Sequence, residues 1–421
     1  MNQSTVCVVG AGPAGVITSL LLAQQGVAST LVDKCTFPRH KACADTLPSS
    51  VIRQLQVIIP GFLEHLQLER TAKELKGTVL YSPAGDAVKV DFIPLAGVGT
   101  GAACYSIPRI QLDNELLAEA KKNPLITVLE GHEVAQMERE ADGLRILFKH
   151  GKPELHVKLV VLCSGSNTTA YKNIHRMPTA ENDYAVGLRG YFTHVAPGTF
   201  PEHSELYLLP DLMPGALFLA PLAGGDYNVN LVIGNEVVKK NKVNMNALLM
   251  EQLASNPVLK ARFKDATLVG HLQGSRLFLG VKKRPISGDN FLMAGDAAGL
   301  IDLFSANGIP QAVVTARIAS EYAVRCVLAD NYSHSALAGY DAEVFQKVKK
   351  YLQLNAYISP LFAHPLSSKM LIRLINFLFR HTQQNNALRD LMYSKNRFRM
   401  LINPLFYGKL FFGKRNTRTS A

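Results

Sequence analysis

Six residues near the start of the chain, Gly10-Ala11-Gly12-Pro13-Ala14-Gly15, constrain the fold more than any other feature. The run Thr5-Val6-Cys7-Val8-Val9 ahead of them reads as a buried strand, and the apolar stretch behind them as a helix to about Gln25, stopped by Gly26. A second strand ends at Leu31-Val32-Asp33. Between a strand and a helix, each glycine has a mechanical reason to be there. Gly10 allows the tight turn, Gly12 lets backbone amides reach a pyrophosphate, and Gly15 lets helix and strand close up. Pro13 and Ala14 open a helix whose N-terminus favours negative charge. Asp33 stands where a carboxylate accepts hydrogen bonds from a ribose 2′-hydroxyl. This is a βαβ unit suited to a dinucleotide, and it predicts an α/β fold.

Downstream, short alternating strands occupy residues 77–94, a helix 109–122, and further strands lie near 125–130, 144–149 and 157–163. Residues 184–275 are strand-rich, with Tyr184–His194, Glu205–Leu209, Ala216–Ala220 and Tyr227–Gly234 separated by Pro and Gly turns, and one helix near 244–255. The strand Phe291-Leu292-Met293-Ala294 enters Gly295-Asp296-Ala297-Ala298-Gly299, and a long helix follows from about 308 to 328. These patterns predict a discontinuous nucleotide-binding domain over 1–76, 99–180 and 276–330. A β-sheet domain of 77–98 and 181–275 would form a wall of the substrate cavity, and 331–421 would be a helical C-terminal region.

At 421 residues and 48% hydrophobic content the chain supports a large globular enzyme rather than disorder. Its six cysteines show no CxxC spacing, which argues against a zinc site or a disulfide framework and for a reducing, cytoplasmic setting; no metal is expected. No secretory n-region precedes Thr5, and no stretch of about 20 apolar residues offers a membrane span. Charge is unevenly distributed. Of the formal net charge of +12, +11 falls in residues 331–421, where 14 Lys and Arg face three acids.

Within that basic region, residues 366–380 put Lys369, Arg373, Asn376 and Arg380 on one helical face, beside a wide apolar surface of Met370, Leu371, Ile372, Leu374, Ile375, Phe377, Leu378 and Phe379. Lys395, Arg397 and Arg399, then Phe406, Tyr407, Phe411, Phe412, Lys414 and Arg415, repeat the mixture. Two readings stand side by side: the region 366–415 lies on an anionic membrane surface, or its helices cap the catalytic body. Nucleic acid is not expected, because the interleaved residues are mostly aliphatic rather than aromatics on a strand platform.

The segment Phe37-Pro38-Arg39-His40-Lys41-Ala42-Cys43-Ala44-Asp45 resembles the stretch that follows the ribose acid in the geranylgeranyl reductase family of flavoproteins. Gly295-Asp296-Ala297-Ala298-Gly299, with Asp302 and Asn307-Gly308-Ile309, is similar to that family's second FAD fingerprint, and Arg109 with Leu112-Asp113 and Leu116 resembles a third, helical motif. The likeness spans roughly residues 1–330 and extends to aromatic-ring hydroxylases and flavin halogenases. It implies a Rossmann-like FAD-binding domain of the p-hydroxybenzoate hydroxylase type, with an interleaved β-rich substrate domain. It also implies FAD as cofactor, held by the first fingerprint and Asp33, by Lys34, Arg39, Lys41, Ala42 and Cys43, by Arg109, and by Gly295, Asp296, Ala297, Gly308 and Ile309. With only one Rossmann fingerprint, NAD(P)H would visit as a transient electron donor.

Chemistry makes the second fingerprint sensible. Asp296 at a strand end suits a ribityl hydroxyl or a pyrophosphate-bound water, and a helix beginning near Gly308 can aim its N-terminal amides at the flavin pyrimidine edge. An ordinary N-cap is the plainer role for Asp296. Cys43 is the candidate proton donor, or else a buried small apolar residue. Lys41 and Arg39 are cofactor contacts or solvated loop cations, and His40, His194 and His271 read as structural. Leu303, Ala306 and Cys163-Ser164-Gly165 depart from the family pattern, and the absence of tryptophan removes the Trp-x-Trp-x-Ile-Pro signature of flavin halogenases. The expected activity is reduction of carbon–carbon double bonds in a small apolar, isoprenoid or lipid-like substrate. A flavin monooxygenase, a variant halogenase, or a non-catalytic flavin-binding module at a membrane are the alternatives.

Overall fold

The computed structural model describes residues 5–92, 104–167, 171–209, 212, 215–280, 282–302, 307–363 and 365–382. Leu303 and Ala306, and the basic cluster from Lys395 to Arg415, lie outside the described residues. In chain order the first half forms β1 (Val6–Val9), α1 (Pro13–Gln24), β2 (Ser29–Val32), β3 (Thr46–Pro48), α2 (Ser49–Ile58), α3 (Phe62–Leu68), β4 (Lys73–Glu74), β5 (Gly77–Tyr81), β6 (Ala87–Asp91), β7 (Cys104–Ser106), α4 (Arg109–Lys122), β8 (Ile126–Leu129), β9 (Val134–Glu140), β10 (Gly143–Phe148), β11 (Leu155–Val157) and β12 (Leu159–Leu162). The second half forms β13 (Tyr184–Thr193), β14 (His203–Leu208), β15 (Gly215–Pro221), β16 (Tyr227–Gly234), α5 (Asn235–Lys240), α6 (Met245–Ser255), β17 (Thr267–Phe278), β18 (Ser287–Gly288), β19 (Phe291–Met293), α7 (Ile309–Ala329), α8 (His334–Ala363) and α9 (Pro365–Thr382).

A six-stranded sheet in the order β18-β19-β12-β1-β2-β8 makes the centre of the nucleotide-binding body. Its strands run parallel apart from β18, and every residue of β1, β2, β12 and β19 is buried; β1, β12 and β19 are accordingly unbroken apolar runs, whereas β2 buries Ser29 and Thr30 ahead of Leu31 and Val32. Helices α1 and α7 pack on each other beside it, so the segments after β1 and after β19 meet although they are almost 300 residues apart in the chain. The smaller sheets β3-β7-β4 and β11-β10-β9 complete this body.

The second sheet has seven strands in the order β17-β13-β16-β15-β14-β5-β6. All its pairs are antiparallel except β14 with β5, because β5 arrives from the first half of the chain and is inserted beside a strand over 100 residues later. One face carries a core of Leu188, Leu217, Leu219, Val229, Leu231 and Ile233 under Leu249 and Leu253 of α6. The other face looks toward the nucleotide-binding body, and its rows are in register. Gln273, Arg189, Asn230, Phe218, Leu206, Leu80 and Val88 stand side by side across all seven strands.

Helix α9 covers the far end of that inner face. Ile375 and Phe379 pack on Val88, Val90, Leu80 and Leu208. Asn376 accepts a hydrogen bond from the Ala84 amide at 3.1 Å, and Arg380 lies 3.8 Å from Asp86, so two members of the expected cationic stripe grip the β5–β6 turn. The apolar surface is also divided. Leu378 and Phe379 are buried, whereas Met370, Leu374 and Phe377 form an exposed ridge beside Lys369 and Arg373. The helix is therefore partly a cap on the seven-stranded sheet and partly an outward amphipathic surface.

Candidate active site

The turn from β1 to α1 is closed by contacts that leave no room for a side chain. Gly10 has φ +106°, and a Cβ there would collide with the carbonyl of Cys163 at the end of β12; a Cβ on Gly15 would collide with the carbonyl of Gly10. Gly12 is the N-cap of α1 without any side-chain cap, Pro13 follows it, and the nearest atom to a Cβ on Gly12 would be Nη2 of Arg39 at 3.7 Å. The helix N-terminus thus opens onto space flanked by a guanidinium. Asp33 is 9% exposed and held by backbone: Oδ2 accepts from the Ala11 amide at 2.8 Å and Oδ1 from the Cys35 amide at 2.8 Å. Each oxygen keeps a second lone pair for a ribose hydroxyl. Lys34 beside it is exposed.

The second fingerprint docks directly against the first. A Cβ on Gly295 would stand 2.9 Å from Cβ of Ala14, and the Gly295 amide donates to Oγ1 of Thr315 on α7 at 2.8 Å. The carboxylate of Asp296 rests on Gly308, where a Cβ would collide with it. Asp296 is not the cap of α7. That position is Gly308, and the first amide of the helix, Ile309, donates to Oδ1 of Asn307 at 3.2 Å. Ala297 and Ile309 are buried.

The loop 39–45 joins the two bodies. Lys41 donates to Oγ of Ser275 on β17 at 3.3 Å; desolvation lowers its pKa, and the nearby Asp296 carboxylate opposes that shift. Lys41 and Ala42, with His40, His271, Gln273 and Ser275, line a cleft of about 380 Å³. Arg39 and Arg109 converge on one acid. Arg109 makes two bonds of 2.7 Å to Asp113, and Nη1 of Arg39 stands 3.0 Å from the same carboxylate, which is 1% exposed. The helical motif with Arg109 is therefore an anchor for the Arg39 loop, with one positive charge left uncompensated. Burial pushes the Cys43 thiol up, and the Arg109 guanidinium opposes this, so Cys43 holds its proton at neutral pH.

Asp45, at the end of the segment Phe37–Asp45, meets side chains that no motif contains. Asp45 is fully buried at φ +60°; Oδ2 accepts from the Tyr191 hydroxyl at 2.6 Å and Oδ1 from the Arg109 amide at 3.2 Å. Arg189 stacks 3.9 Å over the Tyr191 ring and donates to Oε1 of Gln273 at 2.6 Å, while its buried Nε makes no hydrogen bond. Asn230 donates to Asn228 at 2.7 Å, and Asn228 donates to the Cys43 carbonyl at 2.9 Å. Apart from Asp45, which ends the segment Phe37–Asp45, no motif points to these side chains. The available signal was alternation, in Leu188-Arg189-Gly190-Tyr191-Phe192 and Tyr227-Asn228-Val229-Asn230-Leu231, which puts polar groups on one face of otherwise apolar strands.

A parallel sheet carrying a capless helix N-terminus, a backbone-held acid after the second strand and a second glycine-rich turn docked against the first defines a dinucleotide-binding oxidoreductase architecture. A family model described as FAD binding domain matches residues 3–353, and the chain belongs to that family. It is an FAD-dependent oxidoreductase, similar to geranylgeranyl reductases. A menaquinone reductase of Mycolicibacterium smegmatis is 26% identical over 76% of this chain and 76% of its own length. A digeranylgeranylglycerophospholipid reductase of Methanococcus vannielii is 26% identical over 82% of this chain and 83% of its own. Among solved structures, a geranylgeranyl bacteriochlorophyll reductase-like protein from Thermoplasma acidophilum shares the fold with TM-score 0.74 and 19% identity, over 91% of this chain and 92% of that one.

The residues present fit FAD. The open, guanidinium-flanked N-terminus of α1 suits a pyrophosphate, and Asp33 suits a ribose. The close approach of Asp296 to Gly308 leaves small residues where a flat ring system needs backbone contact.

Proposed function

We propose that the protein reduces carbon–carbon double bonds of an apolar, isoprenoid or lipid-like substrate. One observation carries the reading: the inner face of the seven-stranded sheet is polar beneath loop 41–45 and apolar from there to α9. From β16 to β14 that face carries the half-buried Val232, Ala216, Phe218, Leu206 and Leu208; Leu208, with Leu80 and Val88 beyond it, packs under α9, and the buried Ser204 and Thr78 stand on the same face. Two strand spacings of about 4.8 Å, from β16 to β14, make the strip not covered by α9 roughly 10 Å across. The names of the relatives, reductases of menaquinone and of a digeranylgeranyl lipid, agree with such a substrate.

In this reading Gly10, Gly12, Pro13, Ala14 and Gly15 cradle the pyrophosphate, Asp33 the ribose, and Gly295, Asp296, Ala297, Gly308 and Ile309 the flavin end, with Arg39, Lys41, Ala42 and Arg109 supplying shape and positive charge. Reduced flavin, refilled by a visiting NAD(P)H, supplies a hydride to the double bond. The protein orients the chain and keeps water from the reacting carbons. Met370, Leu374 and Phe377, with Lys369 and Arg373 beside them, would rest on an anionic membrane and give the substrate a short path from the bilayer. Among the described residues no helix is long and apolar enough to cross a membrane, so the contact would be peripheral.

The test is anaerobic. Protein with reduced flavin is mixed with geranylgeraniol in detergent micelles, and the product is weighed by mass spectrometry. A gain of two hydrogens per turnover is expected. Oxygen insertion on admitting air, with no such gain, would replace this reading by a monooxygenase.

A further inference from the structure

We propose that Tyr191 donates the proton that completes the reduction and that Asp45 recharges it, the two forming a relay on the inner face of the substrate sheet. The inference rests on the reading of the chain as a double-bond reductase. Saturating such a bond takes a proton as well as a hydride, and an apolar substrate brings none of its own.

The geometry meets the requirements of a relay. Tyr191 lies half-buried on the inner face, in register with Asn228, and its hydroxyl reaches Asp45 at 2.6 Å. The groups facing Asp45 are Tyr191 and Arg189 from β13, Arg109 from α4, and Cys43 from its own loop. Burial outweighs the stabilising contacts and pushes the Asp45 carboxyl up to about 6. Burial, and the Asp45 carboxylate after it, push the Tyr191 phenol above its usual range, so it stays protonated. When Asp45 carries its proton, its hydroxyl can donate to the Tyr191 oxygen, which frees the phenolic hydrogen for another acceptor.

The step balances. The hydride brings both electrons to one carbon, the Tyr191 O–H bond breaks, and its proton bonds to the neighbouring carbon. The Asp45 proton then moves to the Tyr191 oxygen, leaving a carboxylate that water reprotonates. Arg189, 3.9 Å over the ring, favours the negative charge that develops on the phenol oxygen. Cys43 lacks this recharging partner: its sulfur accepts from the Asp45 amide at 3.4 Å, while the Asp45 carboxylate is engaged by Tyr191.

Two measurements test the relay. In the first, geranylgeraniol reduction by anaerobically reduced protein is followed against pH. The wild-type rate is expected to fall about tenfold per pH unit above about 6, whereas Asp45→Asn is slow and flat there and Tyr191→Phe loses about 100-fold. The second needs neither flavin nor turnover. Melting temperatures of flavin-free wild-type and Asp45→Asn protein are expected to diverge as pH rises through about 4 to 6, the wild type losing ground. Asparagine tolerates the left-handed backbone at this position, and Tyr191→Phe leaves the backbone untouched. Wild-type rates and pH limb in Tyr191→Phe, or a melting difference that ignores pH, would overturn the relay alone. Failure of the wild-type protein to reduce the probe would overturn the reductase reading beneath it.

Discussion

Asp113 holds two arginines that the sequence separates by 70 residues, and its burial makes the three charges interdependent. Asp113→Ala leaves two buried cations without their acid and should cost about 3–5 kcal/mol, read as a lower denaturation midpoint with an unchanged slope. Asp296→Ala should weaken FAD retention without comparable loss of stability, measured as flavin lost on gel filtration; full occupancy and activity would remove Asp296 from the site. At Asp45 the sign follows from its raised pKa. The folded state binds the proton more tightly than the unfolded chain, so stability falls as pH rises through about 4 to 6, by up to about 3 kcal/mol, and Asp45→Asn should recover it. The glycines and Asp33 were legible because each answers a local demand of a turn or a helix end. Tyr191 and Arg189 were not, since their partners Asp45 and Gln273 come from distant segments.

At the scale of elements, α9 shows what periodicity conveys and what it omits. Spacing put Lys369, Arg373, Asn376 and Arg380 on one stripe, and the helix forms as expected over Pro365–Thr382. Only packing decides that Asn376 and Arg380 turn to the β5–β6 hairpin while Met370, Leu374 and Phe377 stay outside. Replacing those three by serine should reduce flotation with anionic vesicles and leave the melting temperature within about a degree, because their side chains contribute little to the core. Phe379→Ala, in contrast, should loosen α9 from Val88 and Val90 at about 3 kcal/mol and raise hydrogen exchange in that helix. Strand β17 runs to Phe278, a 12-residue edge whose alternation is blurred by two glycines and a register shift opposite Arg189–Tyr191.

For the whole molecule, the proposed FAD contacts come from both ends of the Rossmann body, so the cofactor should act as a clamp. Saturating flavin at about 100 times its dissociation constant is worth about 2.7 kcal/mol, so stripping it should lower the melting temperature by several degrees, reversibly on adding it back. The sequence by itself determined the βαβ unit, the glycine turns, the acid after the second strand and the α/β class, because strand and helix periods and turn chemistry are properties of neighbouring residues. Likeness to a family, rather than physics, named the flavin. Tertiary structure alone decided that β5 inserts beside β14, that Asp113 serves Arg39 and Arg109 together, and that Asp45 meets Tyr191 under Arg189. Such contacts join residues whose separation along the chain carries no period, and they exist only once burial has chosen which faces meet.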